Sequence, residues 1–320
     1  MLRRTIALAG MAAAGFWAGG AAAQEVVIPN IIELSGGGAT VGAMWRNGST
    51  MAVEEINAKG GILGKKIKLE FVDTASDPGK ARAAMQRALD EKPVAIFGPI
   101  YSGSVSATLK MTAEAEVPQI IGGEAGPLTA QGSKYIFRTS FGQNVSMPKI
   151  ANYLRDGVKA KSVAVIYVNN DFGKGGRDAI TKELAARDIK VVADVSTEAG
   201  QADFAADVIK VKGANADAVF VYLNEEESAR FLREAKKQGL NKPLIGETTL
   251  LGQKVIELAG DAANGVKGHV GLTVDAPVPA IQEFGKKYEA KFKSKPDHNG
   301  VKGYIAPYIC LLYTSPSPRD

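Results

Sequence analysis

Residues 162–168 read Ser-Val-Ala-Val-Ile-Tyr-Val, a run that is apolar at almost every position. Such a continuous apolar run, rich in β-branched residues, is typical of a strand buried on both faces of a parallel sheet. The next segment, 176–187, has the apolar spacing of a helix, and a second strand pattern follows at 190–195. A strand, a helix and a strand in this order predict a βαβ unit and therefore an α/β fold.

The same alternation extends over most of the chain in both directions. Further strand patterns occur at 26–32, 67–72, 94–97, 119–121, 218–222 and 244–246. Helical patterns separate them at 44–58, 80–90, 104–116, 147–155, 204–211, 225–238 and 252–258. The series restarts near residue 140, after a short strand pattern at Ile136-Phe-Arg-Thr. We therefore predict two doubly wound parallel-sheet lobes joined by a hinge, with a ligand cleft between them at the carboxyl ends of the strands.

Residues 1–23 have the pattern of a secretory signal peptide. Arg3 and Arg4 precede an apolar run rich in Ala and Gly, and three Ala residues form a cleavage site before Gln24. A transmembrane anchor is the alternative, but the apolar run is short for one. We therefore predict an exported, periplasmic protein. Removing residues 1–23 removes two Arg and no acid, so the net charge falls from +5 to +3, which is too small to indicate a nucleic-acid partner.

The C-terminal end does not complete an element. Residues 304–312 predict a buried helix, and a Ser- and Pro-rich stretch follows it; Cys310 is the only Cys of the chain. We predict that residues 310–320 are a foreign or unstructured tail on a C-terminally truncated chain, and a genuine flexible tail is the alternative. The predicted division of the chain is a signal peptide at 1–23, one lobe at 24–140 and 271–309, and the other lobe at 141–270.

Catalytic and metal-binding motifs are missing from the sequence. Residues 60–65 (GGILGK) resemble a phosphate-binding loop only superficially, because the glycines are spaced wrongly. Residues 171–176 (DFGKGG) are read as a turn after a strand. His269 and His298 have no ligand spacing, and neither G-x-S-x-G nor H-E-x-x-H occurs. We predict a protein that is not an enzyme and uses no cofactor and no metal.

A series of short motifs points to a family. They are Leu34-Ser-Gly, Glu55-Ile-Asn-Ala-Lys-Gly-Gly-Ile, Asp73 with Asp77-Pro, Phe97-Gly-Pro, Phe137-Arg-Thr and Asp171-Phe-Gly. In this order over residues 25–309 the chain resembles the type I periplasmic solute-binding proteins of ABC importers, most closely the leucine/isoleucine/valine-binding branch. The resemblance implies a monomeric flytrap that closes on a small amino-acid-like ligand and delivers it to an ABC permease and ATPase complex. A ligand-sensing receptor module of the same fold, or a binder of amides or aromatic acids, is the alternative.

The resemblance also implies ligand contacts in the first lobe. In such proteins the ligand carboxylate meets hydroxyl and backbone N–H groups at the helix after the third strand, where a positive helix end suits an anion. Here those positions are Tyr101, Ser102 and Ser104. The loop after the fourth strand supplies a second set of contacts at Gly123, Glu124 and Ala125.

The second lobe is expected to contribute three more side chains. The resemblance implies an aromatic wall at Phe172, a polar contact at Asn224 and an acid at Glu247 that pairs with a ligand ammonium. Asn224 also suits an N-cap before three consecutive Glu residues. Glu124 departs from the family's small residue, and a buried acid there disfavours an anionic ligand unless another charge compensates. A branched-chain amino acid, a modified amino acid, an amide or another small organic compound therefore remain open.

Overall fold

The computed structural model describes residues 25–62, 64–271 and 273–314, so the predicted signal peptide lies outside the described residues. Ten strands lie within these ranges. In chain order, β1 to β10 are Glu25–Ile32, Lys66–Asp73, Ile96–Phe97, Gln119–Ile121, Ile136–Arg138, Ser162–Val168, Lys190–Thr197, Ala218–Tyr222, Leu244–Gly246 and Lys267–Gly268. The α-helices α1 to α10 are Ala39–Ala58, Pro78–Asp90, Ser102–Glu114, Gln143–Asp156, Asp171–Ala185, Ala205–Gly213, Glu225–Lys237, Gln253–Ala259, Pro279–Phe292 and His298–Thr314.

The strands form two sheets of five, and every strand pairing is parallel. The first sheet has the order β2-β1-β3-β4-β5, and the second has the order β10-β9-β8-β6-β7. In each sheet the order reverses next to the strand that opens the lobe, β1 or β6. This confirms the predicted pair of doubly wound α/β lobes, and it places the switch points at the carboxyl ends of β1, β3, β6 and β8.

The central strands are apolar because helices cover both of their faces. In β6 the residues from Val163 to Val168 are all buried. Alternate side chains of β6 belong to two different core clusters, one around Phe204 and Phe231 and the other around α4. A continuous apolar run is therefore the expected pattern for this strand, in which both faces need packing partners.

Helix α5 begins earlier than the sequence pattern indicated. Asn170 is its N-cap, and the Asn170 side chain accepts a hydrogen bond from the N–H of Gly173 at 2.9 Å. Residues 171–176, read above as a turn, are therefore the first turns of α5. The two-residue strand β10 had no recognisable pattern because it is too short to show alternation.

The chain leaves the first sheet after β5, builds the second sheet, and returns through α9 and α10. Helix α10 packs closely on α1, because a Cβ on Gly48 would lie 2.1 Å from the carbonyl oxygen of Gly300. Residues 310–314, which we assigned to a tail, continue α10, and Cys310 is buried in the core of the first lobe. The origin of the tail and the exact lobe boundaries stay predictions.

Candidate functional site

A cavity of about 360 Å³ lies between the carboxyl ends of the two sheets. Both lobes and α10 line it, so it occupies the cleft that the topology predicts. Of the nine predicted site residues, six line this cavity: Tyr101, Ser102, Ser104, Glu124, Phe172 and Asn224. The other three, Gly123, Ala125 and Glu247, do not line it.

The first-lobe wall is the N-terminus of α3. Tyr101 is the N-cap residue and makes no side-chain capping bond, so the first N–H groups of the helix are not capped by a side chain. The Ser102 hydroxyl oxygen accepts hydrogen bonds from the N–H groups of Glu124 and Ala125, at 3.3 and 3.2 Å. Its own hydrogen is a further donor. Ser104 Oγ is buried and makes no close hydrogen bond among the described residues, although it lies near enough to the Glu33 carboxyl to act against the rise of its pKa.

Glu33, which follows β1, holds the loop before α3. Its carboxylate accepts hydrogen bonds from the N–H groups of Ile100 and Tyr101, at 3.0 and 3.2 Å. Burial raises the pKa of Glu33, and these two N–H groups act in the opposite direction. The Tyr101 hydroxyl donates to the carbonyl of Gly37 at 3.0 Å, so the ring is fixed across the cavity wall. Sequence reasoning did not identify Glu33.

The second-lobe wall is the N-terminus of α7, which the protein caps for itself. Glu227 accepts hydrogen bonds from the backbone N–H and the side-chain amide of Asn224, both at 3.2 Å. Glu227 also accepts from the N–H of Gly200. Asn224 is therefore the N-cap residue of α7, as its position before three Glu residues suggested, and it lines the cavity as well. Between these two residues lies Glu225, which is only 5% exposed and also lines the cavity.

Aromatic rings form a third side of the cavity. Phe172 stacks on Tyr222 with ring centroids 4.2 Å apart. The Gln143 amide donates to the Tyr222 hydroxyl at 3.1 Å and to the Phe172 carbonyl at 2.8 Å. A Cβ on Gly176 would lie 2.0 Å from the Tyr222 ring, so only glycine leaves room for this ring. The Phe172 ring at the cavity wall is thus held in place by its stacking on Tyr222.

At its inner end the cavity holds a buried ion pair. Lys302 of α10 lies 2.5 Å from Glu124 Oε1, and both side chains are less than a tenth exposed. Lys302 supplies the compensating charge that a buried acid at position 124 requires. Burial nevertheless raises the pKa of Glu124 to about 7, because it outweighs the attraction of Lys302. His298, on the same helix, also lines the cavity, and burial holds the pKa of its imidazole well below the usual value.

Glu247 lies behind this ion pair, in a second and much smaller cavity. Glu124, His298 and Lys302 line both cavities, so their side chains form the wall between them. Glu247 Oε1 accepts a hydrogen bond from the Thr248 hydroxyl at 2.9 Å, whereas Oε2 is buried without a partner among the described residues. The role predicted for Glu247 in holding a ligand ammonium therefore stays a prediction.

Gly123 and Ala125 shape the cavity from behind. A Cβ on Gly123 would lie 2.7 Å from a Leu128 methyl group, so this position is closely packed. The Arg138 guanidinium donates to the carbonyls of Glu124 and Ala125, both at 3.0 Å. Arg138 thereby fixes the loop that carries Glu124.

Sequence reasoning missed Glu225, Lys302 and Asn299, all of which line the cavity. The Glu225 signal was present, since acids directly after a capping residue mark a helix start, but three adjacent Glu residues do not show which one faces the cleft. Lys302 and Asn299 lie on α10, far along the chain from the other site residues, and no spacing rule connects them. Across the described ranges, no set of three or more His, Cys, Asp or Glu side chains is placed to hold a metal ion.

Comparison with known proteins places these features in a family. The model for the family described as "Periplasmic binding protein" matches residues 25–311. An amino acid binding protein of Pseudomonas aeruginosa is 30% identical over 275 residues, which are 85% of this chain and 73% of that protein. A leucine-specific-binding protein of Salmonella typhimurium is 27% identical over 92% of this chain and 78% of its own length.

Solved structures share the fold. The branched-chain amino acid transporter substrate binding protein LivJ of Streptococcus pneumoniae, in complex with isoleucine, matches with a TM-score of 0.83 at 27% identity. The match covers 92% of this chain and 85% of that chain. A solute binding protein of an ABC transporter from Rhodopseudomonas palustris, in complex with 3,4-dihydroxybenzoic acid, matches with a TM-score of 0.82 at 23% identity. The match covers 90% of this chain and 80% of that chain, so the two proteins share the fold.

No helix among the described residues has both the length and the apolar character needed to cross a bilayer. The family model spans nearly all of those residues, and the two lobes, the cleft and the motif order agree with it. On this evidence the chain belongs to the periplasmic binding protein family, alongside substrate-binding proteins of ABC transporters for branched-chain amino acids.

Proposed function

We propose that this protein is the periplasmic substrate-binding component of an ABC importer and captures a small amino-acid-like ligand in the cleft. The observation that carries the proposal is the pairing of two unlike helix ends across one cavity. The N-terminus of α3 offers hydroxyl and N–H donors that suit a carboxylate. The N-terminus of α7 offers carboxyl groups that suit a cationic or hydrogen-bond-donating group.

Ligand contacts are assigned on this basis. Tyr101, Ser102 and Ser104 bind the carboxylate, Phe172 covers the carbon skeleton, and Asn224 contributes a polar contact. The cavity of about 360 Å³ has the size of a small-molecule site and is too small for a folded partner. Closure of the lobes would exclude water and strengthen each charge-assisted contact.

Binding without chemical conversion is the proposed mode of action. The named relatives are binding proteins, and transport requires the ligand to be released unchanged. The partner is an ABC permease and ATPase complex, which would recognise the closed form, and the protein would act as a monomer. This assignment distinguishes the protein from a sensing module, whose closed form would address a signalling domain instead.

A thermal-shift screen tests the proposal. We expect one or a few members of a panel of amino acids, amides and aromatic acids to raise the melting temperature, because a ligand that binds only the folded state stabilises it. Mass spectrometry of the recovered compound should show it unchanged. A panel in which no compound shifts the melting temperature, or in which the recovered compound is converted, contradicts the proposal.

Two matched variants locate the binding in the cleft. Ala199 lines the cavity and is exposed, whereas Ala185 is exposed on the outer surface of α5 and does not line it. We expect A199W to reduce the ligand-induced shift by obstructing the cavity, and A185W to leave the shift as in the unmodified protein. Equal shifts in both variants would place the ligand elsewhere.

A further inference from the structure

The carboxyl groups that line the cavity outnumber its cations. Among the described lining residues there are three acids, Glu124, Glu225 and Glu227, and one ammonium, Lys302. Because a buried carboxylate is stable only when it is paired or hydrogen-bonded, each of these acids needs a partner. Their partners can be compared one by one.

Glu227 and Glu124 already have partners within the protein. Glu227 accepts three hydrogen bonds, two from Asn224 and one from Gly200, as part of the helix cap. Glu124 has the Lys302 ammonium at 2.5 Å. Neither acid therefore requires a cation from a ligand, and the Glu124 carboxyl also contacts the Glu247 carboxyl, which raises the pKa of Glu124 further.

Glu225 is the lining acid that has neither a cation nor a full set of hydrogen bonds among the described residues. Its only contact of hydrogen-bond length with another described residue is from the Asn299 amide at 3.4 Å, which is long for such a bond, and its own backbone N–H supplies a second, local contact. No Lys or Arg forms an ion pair with it among the described residues. It is 5% exposed and borders the cavity, so any group that pairs with it must come from inside the cavity.

Glu247 is not accessible in the same way. The side chains of Glu124, His298 and Lys302 separate it from the cavity. A ligand cation held in the cavity would meet the Lys302 ammonium before it met Glu247, and the two like charges would repel each other.

We infer that Glu225, rather than Glu247, binds the cationic group of the ligand, so that this group lies at the N-terminus of α7. The inference rests on the proposed function, since it assigns one residue within the same cleft. Lys302 acts as the built-in cation of the site, meaning that its ammonium pairs with the protein's own Glu124. Glu225 therefore remains as the acid that determines specificity for a cationic group.

Protonation of Glu225 adds a measurable consequence. Burial raises the pKa of Glu225 to about 8, and the neighbouring Asp297 acts in the same direction. The charged or titratable groups that face it or flank it are Asp297, His298, Lys302, Glu124, Tyr101, Glu226 and Glu227. At pH 7 the carboxyl of the free protein is mostly protonated. An ammonium that binds next to it favours the ionised form, so binding at pH 7 releases a proton.

Calorimetry with two probes tests this assignment. The probes are L-leucine and 4-methylpentanoate, which differ only in the ammonium. For the unmodified protein at pH 7, titrations in phosphate and in Tris buffer should show that leucine binding releases up to about one proton. The Kd for leucine should decrease from pH 6.5 to pH 8 and then level off. The carboxylate probe should bind more weakly and release no proton.

Matched variants identify the acid. E225Q should weaken leucine binding by roughly 10- to 100-fold, the equivalent of one charge-assisted hydrogen bond, and should remove most of the proton release, leaving at most the part that comes from Glu124. E226Q is the control, because Glu226 occupies the next position of the same helix end but pairs with Arg230 and does not line the cavity. E226Q should leave both the Kd and the proton release unchanged.

Several outcomes would overturn the inference. They are an unchanged Kd in a folded E225Q variant, leucine binding to the unmodified protein without proton release, equal affinity for the two probes, and loss of binding in E247Q but not in E225Q. Each of these leaves the proposed function standing if leucine binds. An unmodified protein that binds neither probe also overturns the inference, and the proposed function falls with it only if no compound of the screen is bound.

Discussion

Helices α3 and α7 both begin at the carboxyl end of a central parallel strand and border the same cavity, but their first turns differ in chemistry. In α3 the first turn carries neutral hydroxyl groups, and its N-cap residue makes no side-chain bond. In α7 the first turn carries three Glu residues, and Asn224 and Glu227 close the cap. The backbone field is the same at both ends, since each is the positive end of a helix dipole.

The difference shows that a helix end can attract a ligand or be used by the protein itself. At α7 the positive end is satisfied by the protein's own carboxyl groups, so the surface that it presents to the cavity is acidic. At α3 no acid in the first turn competes, so N–H and hydroxyl donors remain for a ligand anion. Two helix ends with the same backbone geometry thus differ in what they can bind. The side chains of the first turn make the α3 end suitable for an anionic group and the α7 end suitable for a cationic group.

The largest predicted effect concerns Lys302. Its ammonium pairs with the Glu124 carboxylate, so that Glu124 adds no unpaired negative charge near the α3 end of the cavity. K302M leaves Glu124 buried without its cation, and we expect the free energy of unfolding at pH 8 to fall by about 3–5 kcal/mol. The loss should be smaller at pH 5. Because the pKa of Glu124 is about 7 in the unmodified protein, this acid is already protonated at pH 5 and the ion pair contributes little there.

The double variant E124Q/K302M separates charge from packing. It removes both members of the ion pair, so we expect it to recover most of the stability lost in K302M. Urea unfolding of the unmodified protein, the single variant and the double variant at both pH values measures the effect. A double variant as unstable as K302M would mean that Lys302 contributes by packing, and its role as the built-in cation would be wrong.

The next prediction concerns the acidic end of the comparison. Burial raises the pKa of Glu225 to about 8, above its usual value of 4.5. A carboxyl with a raised pKa in the folded state binds more protons than in the unfolded state between these two values. Without ligand, the free energy of unfolding should therefore fall as the pH rises from 5 to 8, by up to about 1.4 kcal/mol per pH unit for one such group.

Melting temperatures of the ligand-free protein at a series of pH values check this slope. E225Q should show a shallower decrease than the unmodified protein, and E226Q should show the same decrease as the unmodified protein. Burial raises the pKa of Glu227 as well, so some slope should remain in E225Q. Identical profiles for E225Q and the unmodified protein would show that Glu225 is not the titrating group.

The sequence allowed more to be predicted at the α3 end than at the α7 end or on α10. The strands and the family motifs located Tyr101 and Ser102, because a βα loop is a local feature with a local signal. At α7 the capping pattern was visible, but the choice among three adjacent acids depends on how the helix is rotated against the cleft. The pairing of Glu124 with Lys302 joins residues 178 positions apart and needs the assembled fold.

The burial of Glu247 behind Lys302 also could not be derived from the sequence. A motif identifies a position on a loop, whereas access to a cavity depends on which other side chains fill the space in front of it. Here α10 fills that space. The expected acid is present after β9, but the cavity wall formed by Glu124, His298 and Lys302 lies between it and the cleft.

The smallest predicted effect lies at the α3 end. Ser104 Oγ is buried in the cavity wall and makes no close hydrogen bond among the described residues, which is unfavourable unless a ligand supplies one. S104A should therefore weaken leucine binding by about 1 kcal/mol, roughly fivefold in Kd. The same variant should change the free energy of unfolding of the ligand-free protein little, since Ser104 Oγ makes no close hydrogen bond among the described residues and only a looser contact with the Glu33 carboxyl.

Ser106 provides the matched control, because it lies two residues further along α3, is exposed and does not line the cavity. S106A should change neither the Kd for leucine nor its dependence on pH. In S104A the pH dependence of binding should also persist, since the proton comes from the opposite helix end. A variant S104A that loses stability but binds leucine normally would assign Ser104 to the core of the lobe, and the contrast between the two helix ends would then rest on Ser102 and the backbone alone.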